Sequence, residues 1–385
     1  MLRCARSTGA RYCGLCPIVA VRRARSQGRS GGAPAADSGP AQAAFLLTPG
    51  LGRGMLWPDE AMPRPVAAAI APVAAEVWRG EILESVHRAS AAEADASGAV
   101  LWALGFPDMM AAFRSAAKPL QAIPLATLPG ARDLGLTEEE MAICCASHPG
   151  EPRHAALAAS VLALSGCPPD DLVCGPAGNP PSPLRHGCSG NHAGLLVAAR
   201  LLGASLAGYE QPGHPVQVRV RALIQELAGA RELREAVDGC GIPTWGLTLA
   251  QMARAFAALT APEAPWARIP RAMALHPELV GPRDRADVRV MQATGGRVAA
   301  KTGAEGLLCL GLMQEGRGMA VKVEDGSPRP LPALAAALLA RSGWIGTEEA
   351  ERIAAPDDDA ACGPRAPRIR VPDLEALVQA APMPV

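Results

Sequence analysis

Apolar residues recur along this chain with two periods. Ile82-Leu83-Glu84-Ser85-Val86-His87-Arg88-Ala89 and Ala99-Val100-Leu101-Trp102-Ala103-Leu104 are strand-forming runs on either side of a turn, Asp95-Ala96-Ser97-Gly98, and predict a β-hairpin. From Ala155 to Leu164, His192 to Leu202, Pro215 to Leu227 and Leu249 to Leu259 the apolar positions fall three and four apart, the spacing of helices with one buried face. Thr137-Glu138-Glu139-Glu140 sets a threonine three residues before a glutamate, a capping-box helix start. Later, Val298-Ala299-Ala300 and Leu307-Leu308-Cys309-Leu310-Gly311-Leu312 return to strand composition. Gln314-Glu315-Gly316-Arg317-Gly318 then reads as a turn into Met319-Ala320-Val321-Lys322-Val323, and Leu331 to Leu339 as a last amphipathic helix against the sheet. Strands at both ends with helices between them predict an α+β architecture, one antiparallel sheet from N- and C-terminal strands with an inserted helical region.

Residues 1 to about 70 lie outside this pattern. They open with arginines unmatched by acids, continue through Gly31-Gly32-Ala33-Pro34-Ala35-Ala36, and show no periodic apolar face. The segment reads as a disordered N-terminal extension, either a presequence or an overlong start with the true beginning at Met55 or Met62. Residues 71–385 read as a single catalytic domain. Composition narrows the function classes. Lys and Arg number 37 and Asp and Glu 37, so the zero net charge argues against nucleic acid or an anionic membrane as a partner. No apolar stretch is long enough to cross a bilayer. Eleven cysteines lack the spacing of a disulfide framework, which points to a reducing cytoplasm. Cys13-Gly14-Leu15-Cys16 has no second pair and carries no zinc or redox expectation.

The chemistry begins at Arg114-Ser115-Ala116-Ala117-Lys118-Pro119. Residues three apart share a helix face, so Lys118 is placed to take the Ser115 hydroxyl proton if burial keeps the amine neutral. Pro119 is tolerated only in a first helical turn, which sets the helix start near Ser115 and leaves free backbone N–H groups beside a developing oxyanion. Lys301-Thr302-Gly303 stands on or beside the late hairpin. S-x-x-K early and K-T-G late form the signature pair of serine hydrolases with the β-lactamase and penicillin-binding architecture. Three further segments are too polar and Gly-rich for plain connectors: Cys145-Ala146-Ser147-His148-Pro149-Gly150-Glu151, Cys188-Ser189-Gly190-Asn191-His192, and Asp238-Gly239-Cys240-Gly241-Ile242-Pro243, which leads toward a helix at Leu247. Each also has a plain reading, Ser147 and Asn191 as backbone caps and the cysteines as small packing groups.

The set R-S-A-A-K-P, C-A-S-H, C-S-G-x-H, D-G-C-x-x-P and K-x-G-A, over roughly residues 80 to 325, resembles the bacterial L-asparaginase II family of Rhizobium type. That resemblance implies a β-lactamase- and glutaminase-like fold and a homodimeric amidohydrolase that releases ammonia from L-asparagine; weak glutaminase activity stays open beside it. It implies two Ser-Lys pairs, Ser115 with Lys118 and Ser147 with Lys301; on motif grounds Ser115 is the first choice of nucleophile, with Ser147 relaying protons or orienting the amide. Arg114 is then a candidate for the substrate α-carboxylate, Asp238 for its α-ammonium and His192 for a further substrate contact. The family also has a zinc site of two cysteines and a lysine, here Cys188, Cys240 and position 191. Asn191 stands where the lysine belongs, so zinc is expected only if His192 or His186 completes the tetrahedron. Ser189-Gly190-Asn191 also matches the S-x-N element of penicillin-recognising enzymes, which keeps a β-lactam or peptide hydrolase as the rival reading. A third reading is a catalytically silent, ligand-binding family member.

Overall fold

The computed structural model describes residues 70–313, 315–355 and 367–380. The readings made for residues 1–69, including Cys13, Cys16, Met55 and Met62, lie outside the described residues, as does Gln314 of the expected turn.

Two antiparallel sheets carry the fold. The strands of the first are β1 (Val73–Arg79), β2 (Ile82–Asp95), β3 (Val100–Leu104), β7 (Val298–Gly303), β8 (Leu307–Leu312), β9 (Arg317–Val323), β10 (Arg368–Arg370) and β11 (Val378–Ala380). The strand order is β10-β1-β2-β9-β8-β7, with β3 joining β2 to β11. The second sheet is β4-β6-β5, from β4 (Met110–Ala112), β5 (Arg234–Val237) and β6 (Pro243–Thr248). Strands from both ends of the domain therefore meet in one sheet, and the helices lie mainly between β4 and β7, as the α+β reading expects.

The long strand β2 shows why this sequence packs as it does. Its first half pairs with β1, and its second half lies between β3 and β9. There Ala89, Ala91, Ala92 and Ala94 are all buried, and since side chains alternate across a strand, both faces are covered. One face meets the helix Leu249–Leu259, which sits so close that a Cβ built on Gly318 would fall 2.0 Å from the Ala253 carbonyl oxygen. The other face holds the buried Glu93 carboxylate, bonded to the Trp102 and Trp344 indoles, Ser342 and Arg317 beyond the helix Leu331–Arg341. With few aromatics, the core gains its density from close approach of backbones rather than from large side chains.

The expected helices form as Pro152–Ser165, Ser189–Leu201, Pro215–Ala228, Leu249–Leu259 and Leu331–Arg341, and Thr137 caps Glu138–Cys144 with the full capping box. Three differences matter. The strand β1 is absent from the sequence reading. The segment after Asp238 leads into β6, and its helix begins only at Leu249, where Thr248 and Gln251 form a second capping box. Asn191 lies inside its helix, three residues past Cys188, and its amide donates to the Cys144 carbonyl instead of capping.

Because Gly318 opposes a backbone carbonyl that cannot rotate away, Gly318→Ala is expected to cost about 2 kcal/mol by overpacking. Thermal unfolding of the variant should show a midpoint several degrees lower, and an unchanged midpoint would contradict the packing described.

Candidate active site

Ser115 is presented by a sharp exit from β4. Phe113 N–H donates to the Trp245 carbonyl at 2.8 Å and Arg114 N–H to Thr244 Oγ1 at 2.9 Å, which ties the exit to β6. Arg114 then adopts φ +48°, left-handed backbone that non-glycine residues seldom occupy and that collects at functional sites. One turn of 3-10 helix, Arg114–Ala117, carries Ser115, and Lys118 opens the next helical turn with Pro119 behind it. Among the described residues no group is hydrogen-bonded to the Ser115 hydroxyl.

Lys118 turns inward, away from its own serine. Its Nζ donates to Ala146 O at 2.6 Å, Ser147 Oγ at 3.1 Å and Cys188 Sγ at 3.2 Å. Three acceptors for one buried amine outweigh a single half-buried hydroxyl one turn back, so the Ser115–Lys118 hydrogen bond expected from spacing is replaced by Ser147–Lys118. The Ser147–Lys301 pairing is likewise not made directly: Lys301 Nζ donates to Thr302 O at 2.9 Å. Burial, with the Arg285 charge adding to it, pulls the Lys301 pKa well below its usual value, while Asp287 at 3.7 Å acts in the opposite direction.

Asp287, which no sequence motif marked, organises this region. Its buried carboxylate accepts Arg285 Nε at 2.7 Å and Nη2 at 2.9 Å along one edge of the guanidinium, Thr302 N–H and Oγ1 at 2.9 Å each, and Val288 N–H at 3.0 Å. Against the cost of burial, Arg285 and Lys301 hold its pKa at about 2. The other arm of Arg285 donates to the Ser147 carbonyl at 2.7 Å, and Ser147 N–H donates to Val280 O at 2.9 Å. Thus the same arginine positions Ser147 and anchors the strand that carries Lys301. A pattern such as Arg285-Ala286-Asp287 is too common in sequence to signal this.

Ser115 and Ser147 line one cavity of about 670 Å³, together with Arg285, Thr302, Gly303 and Glu305. Lys118 and Lys301 are not among its lining residues. Nor are Arg114, Asp238 and His192. Arg114 Nη2 and Asp238 Oδ1 form an ion pair at 3.0 Å, so the two groups expected to receive separate substrate charges are brought together and satisfy each other. His192 is fully buried, bonds the Tyr209 hydroxyl through Nδ1 at 2.6 Å, and burial lowers its pKa to about 4. The S-x-N element is equally remote: Ser189 Oγ contacts His148 Nε2 and donates to Leu184 O, and neither Ser189 nor Asn191 reaches the cavity wall. The S-x-N element therefore lends the penicillin-recognising alternative no support at the cavity.

The sequence pattern of L-asparaginase II matches residues 75–365. The chain belongs to the L-asparaginase II family. No curated protein matches it. Among solved structures it is similar to Mglu in its native form in 4.3 M NaCl, at 16% identity and a TM-score of 0.37 over 67% of this chain. It spans 61% of Mglu's length. A β-lactamase from Mycobacterium bovis is similar at 15% identity and a TM-score of 0.31, over 66% of this chain and 94% of that one.

In the L-asparaginase II setting, the thiols at Cys188 and Cys240 raise the question of zinc. The nearby soft donors run as a chain, Cys174 beside His186, His186 beside Cys188, Cys188 beside Cys240. They do not converge, and among the described residues no three such side chains are placed to hold a metal ion. Asn191 at the lysine position is turned to Cys144 O, and Lys118 already donates to the Cys188 sulfur. The Cys240 thiol, then Lys118 and His186, hold the Cys188 pKa well below its usual value, and the Cys174 and Cys188 sulfurs raise that of His186 to about 9. The residues as placed do not fit a closed zinc site.

Two outcomes follow from these contacts. Metal analysis of purified protein is expected to give well under one zinc per chain, with turnover unchanged by chelation; stoichiometric zinc lost together with activity would contradict this. The Asp287 carboxyl is held below its ordinary 3.8, so its contribution to stability is complete above about pH 4 and is lost as pH falls toward 2. That contribution is roughly 2 kcal/mol. Asp287→Asn should be less stable at neutral pH and lose less further stability between pH 4 and 2, as read by denaturant unfolding at each pH.

Proposed function

We propose that this chain hydrolyses L-asparagine to L-aspartate and ammonia by acyl transfer through Ser115. The observation that carries the reading is the 3.1 Å bond from buried Lys118 to Ser147, a second hydroxyl on the wall of the cavity that Ser115 enters. Family membership supports asparagine-directed amide hydrolysis at the level of the family.

A carboxamide is a poor electrophile with a poor leaving group, so it needs an activated hydroxyl and a proton delivered to nitrogen. Ser115 Oγ, free of other hydrogen bonds among the described residues, attacks the amide carbon, and its proton passes to Lys301, whose charged form burial disfavours. The tetrahedral intermediate collapses as Ser147, hydrogen-bonded to Lys118, passes a proton to the departing nitrogen, which leaves as ammonia. Water then attacks the aspartyl ester, its proton returns along the same hydroxyl and amine groups, and aspartate leaves. Each cycle consumes one water and restores both serines. Thr302, fixed by two hydrogen bonds to Asp287, keeps the strand carrying Lys301 from shifting during these steps.

Ammonia release from L-asparagine by the full chain tests the reading. Ser115→Ala and Lys301→Met are expected to lose at least roughly a thousandfold in kcat, and Ser147→Ala and Lys118→Met roughly a hundredfold or more, with circular dichroism unchanged. An aspartyl ester mapped to Ser147 rather than Ser115 by mass spectrometry would exchange the two serines' roles, and undiminished turnover in all four variants would end the proposal.

A further inference from the structure

Among the described residues two non-glycine positions have positive φ: Arg114, which delivers Ser115, and Glu305 at φ +61°. Glu305 sits in the connection between β7 and β8 and lines the serine cavity. Glycine or asparagine is the usual occupant of such backbone, so a glutamate held there calls for a reason.

The connection is clamped on both sides. A Cβ on Gly303 would lie 3.0 Å from Phe113 O, and one on Gly306 would lie 2.9 Å from Val323 Cβ and 3.0 Å from Ser327 O. Val323 N–H donates to Gly306 O at 2.9 Å. The backbone of Glu305 therefore cannot relax, and its carboxylate lies over Gly326, where an added Cβ would stand 2.5 Å from Oε2. No hydrogen bond or ion pair engages this carboxylate among the described residues; Lys322 feels its charge at longer range.

The cavity cations divide in the same way. Arg285 is committed to Asp287, Ser147 O and Val280 O, and Arg289 to the carbonyls of Asp284, Ile353 and Ala355. Arg329 lines the cavity with its guanidinium unengaged among the described residues. One exposed carboxylate on a clamped backbone and one exposed, unengaged guanidinium line the same cavity as the two serines, whereas Arg114 and Asp238 pair with each other and are not among its lining residues.

We propose that Glu305 and Arg329 are the specificity-determining charges of this cavity, receiving the α-ammonium and α-carboxylate of an amino acid amide. The assignment rests on the amidohydrolase reading above for its substrate class. A zwitterion presents one charge of each sign to a site, and a carboxylate whose backbone is already clamped gives up less entropy on accepting an ammonium than one on a mobile loop.

Succinamic acid is asparagine without the α-amino group, and 3-aminopropanamide is asparagine without the α-carboxylate. Wild-type kcat/KM should favour L-asparagine over each by roughly ten- to a hundredfold. Glu305→Gln should abolish the preference over succinamic acid through KM, with kcat changed little and succinamic acid turnover unaltered. Arg329→Gln should do the same for 3-aminopropanamide. Glu305→Gly relieves the backbone strain while removing the carboxylate, and should show the same loss in a protein at least as stable. Retention of the preference by both Glu305 variants, or its loss in Asp284→Asn instead, would overturn the proposal. Calorimetric binding of L-aspartate reads the same charges without turnover. If the wild type releases no ammonia, the amidohydrolase reading fails, while a binding loss of roughly tenfold or more in Glu305→Gln still supports the charge assignment. Equal binding by the two proteins, or none by the wild type, overturns it.

Discussion

A buried carboxylate is unfavourable unless its lone pairs are filled, and the Asp287 site meets that condition with two bonds from Arg285, two from Thr302 and one from Val288. The Ser147 loop and the end of the strand carrying Lys301 both lean on this group. Through Thr302 it fixes the end of β7, and with it the amine of Lys301. Through Arg285 it reaches the carbonyl of Ser147 and the segment ending at Val280. Removing one partner of such a cluster typically costs 3–5 kcal/mol, because the remaining charge has no water to turn to. Serine loop and lysine strand are thus held by one electrostatic anchor, so they keep their mutual geometry even though they are far apart in sequence.

The segment that carries Ser115 is built on a different principle. There the strained turn at Arg114 is held by two hydrogen bonds from the small sheet, and the backbone geometry, rather than charge, aims Ser115. The close approach of the helix Leu249–Leu259 to β9 over Gly318 belongs to the same economy of small residues. A chain with few aromatics reaches close packing by removing side chains where backbones meet, and the cavity is the place where that packing stops.

Much of this was legible in the sequence. The long helices announce themselves by periodicity, and the hairpin of β2 and β3 by apolar runs around Asp95–Gly98. Both serines, and the family, are carried by short motifs. The small sheet escaped because its strands are short, β5 is exposed along its length, and β6 begins with a proline, so none shows alternation. Where Lys118 goes was not legible either. Spacing says which residues share a helix face, but the destination of a long buried side chain is decided by acceptors brought in from Ala146, Ser147 and Cys188, which only the tertiary fold assembles. Asp287 belongs to the same class: its role lies in partners fifteen residues away and across the sheet.

The hydroxyls face the cavity while both amines stand behind its wall, each donating to a neighbouring backbone carbonyl. An ester formed on a serine beside an exposed lysine would be open to attack by that lysine, and the product, an amide, would not hydrolyse on the same timescale. Here Lys118 can exchange a proton with Ser147 through their hydrogen bond, yet neither amine is among the residues that line the cavity. If the serines carry an acyl group as proposed, this placement keeps the two amines from attacking it and so guards against permanent self-acylation.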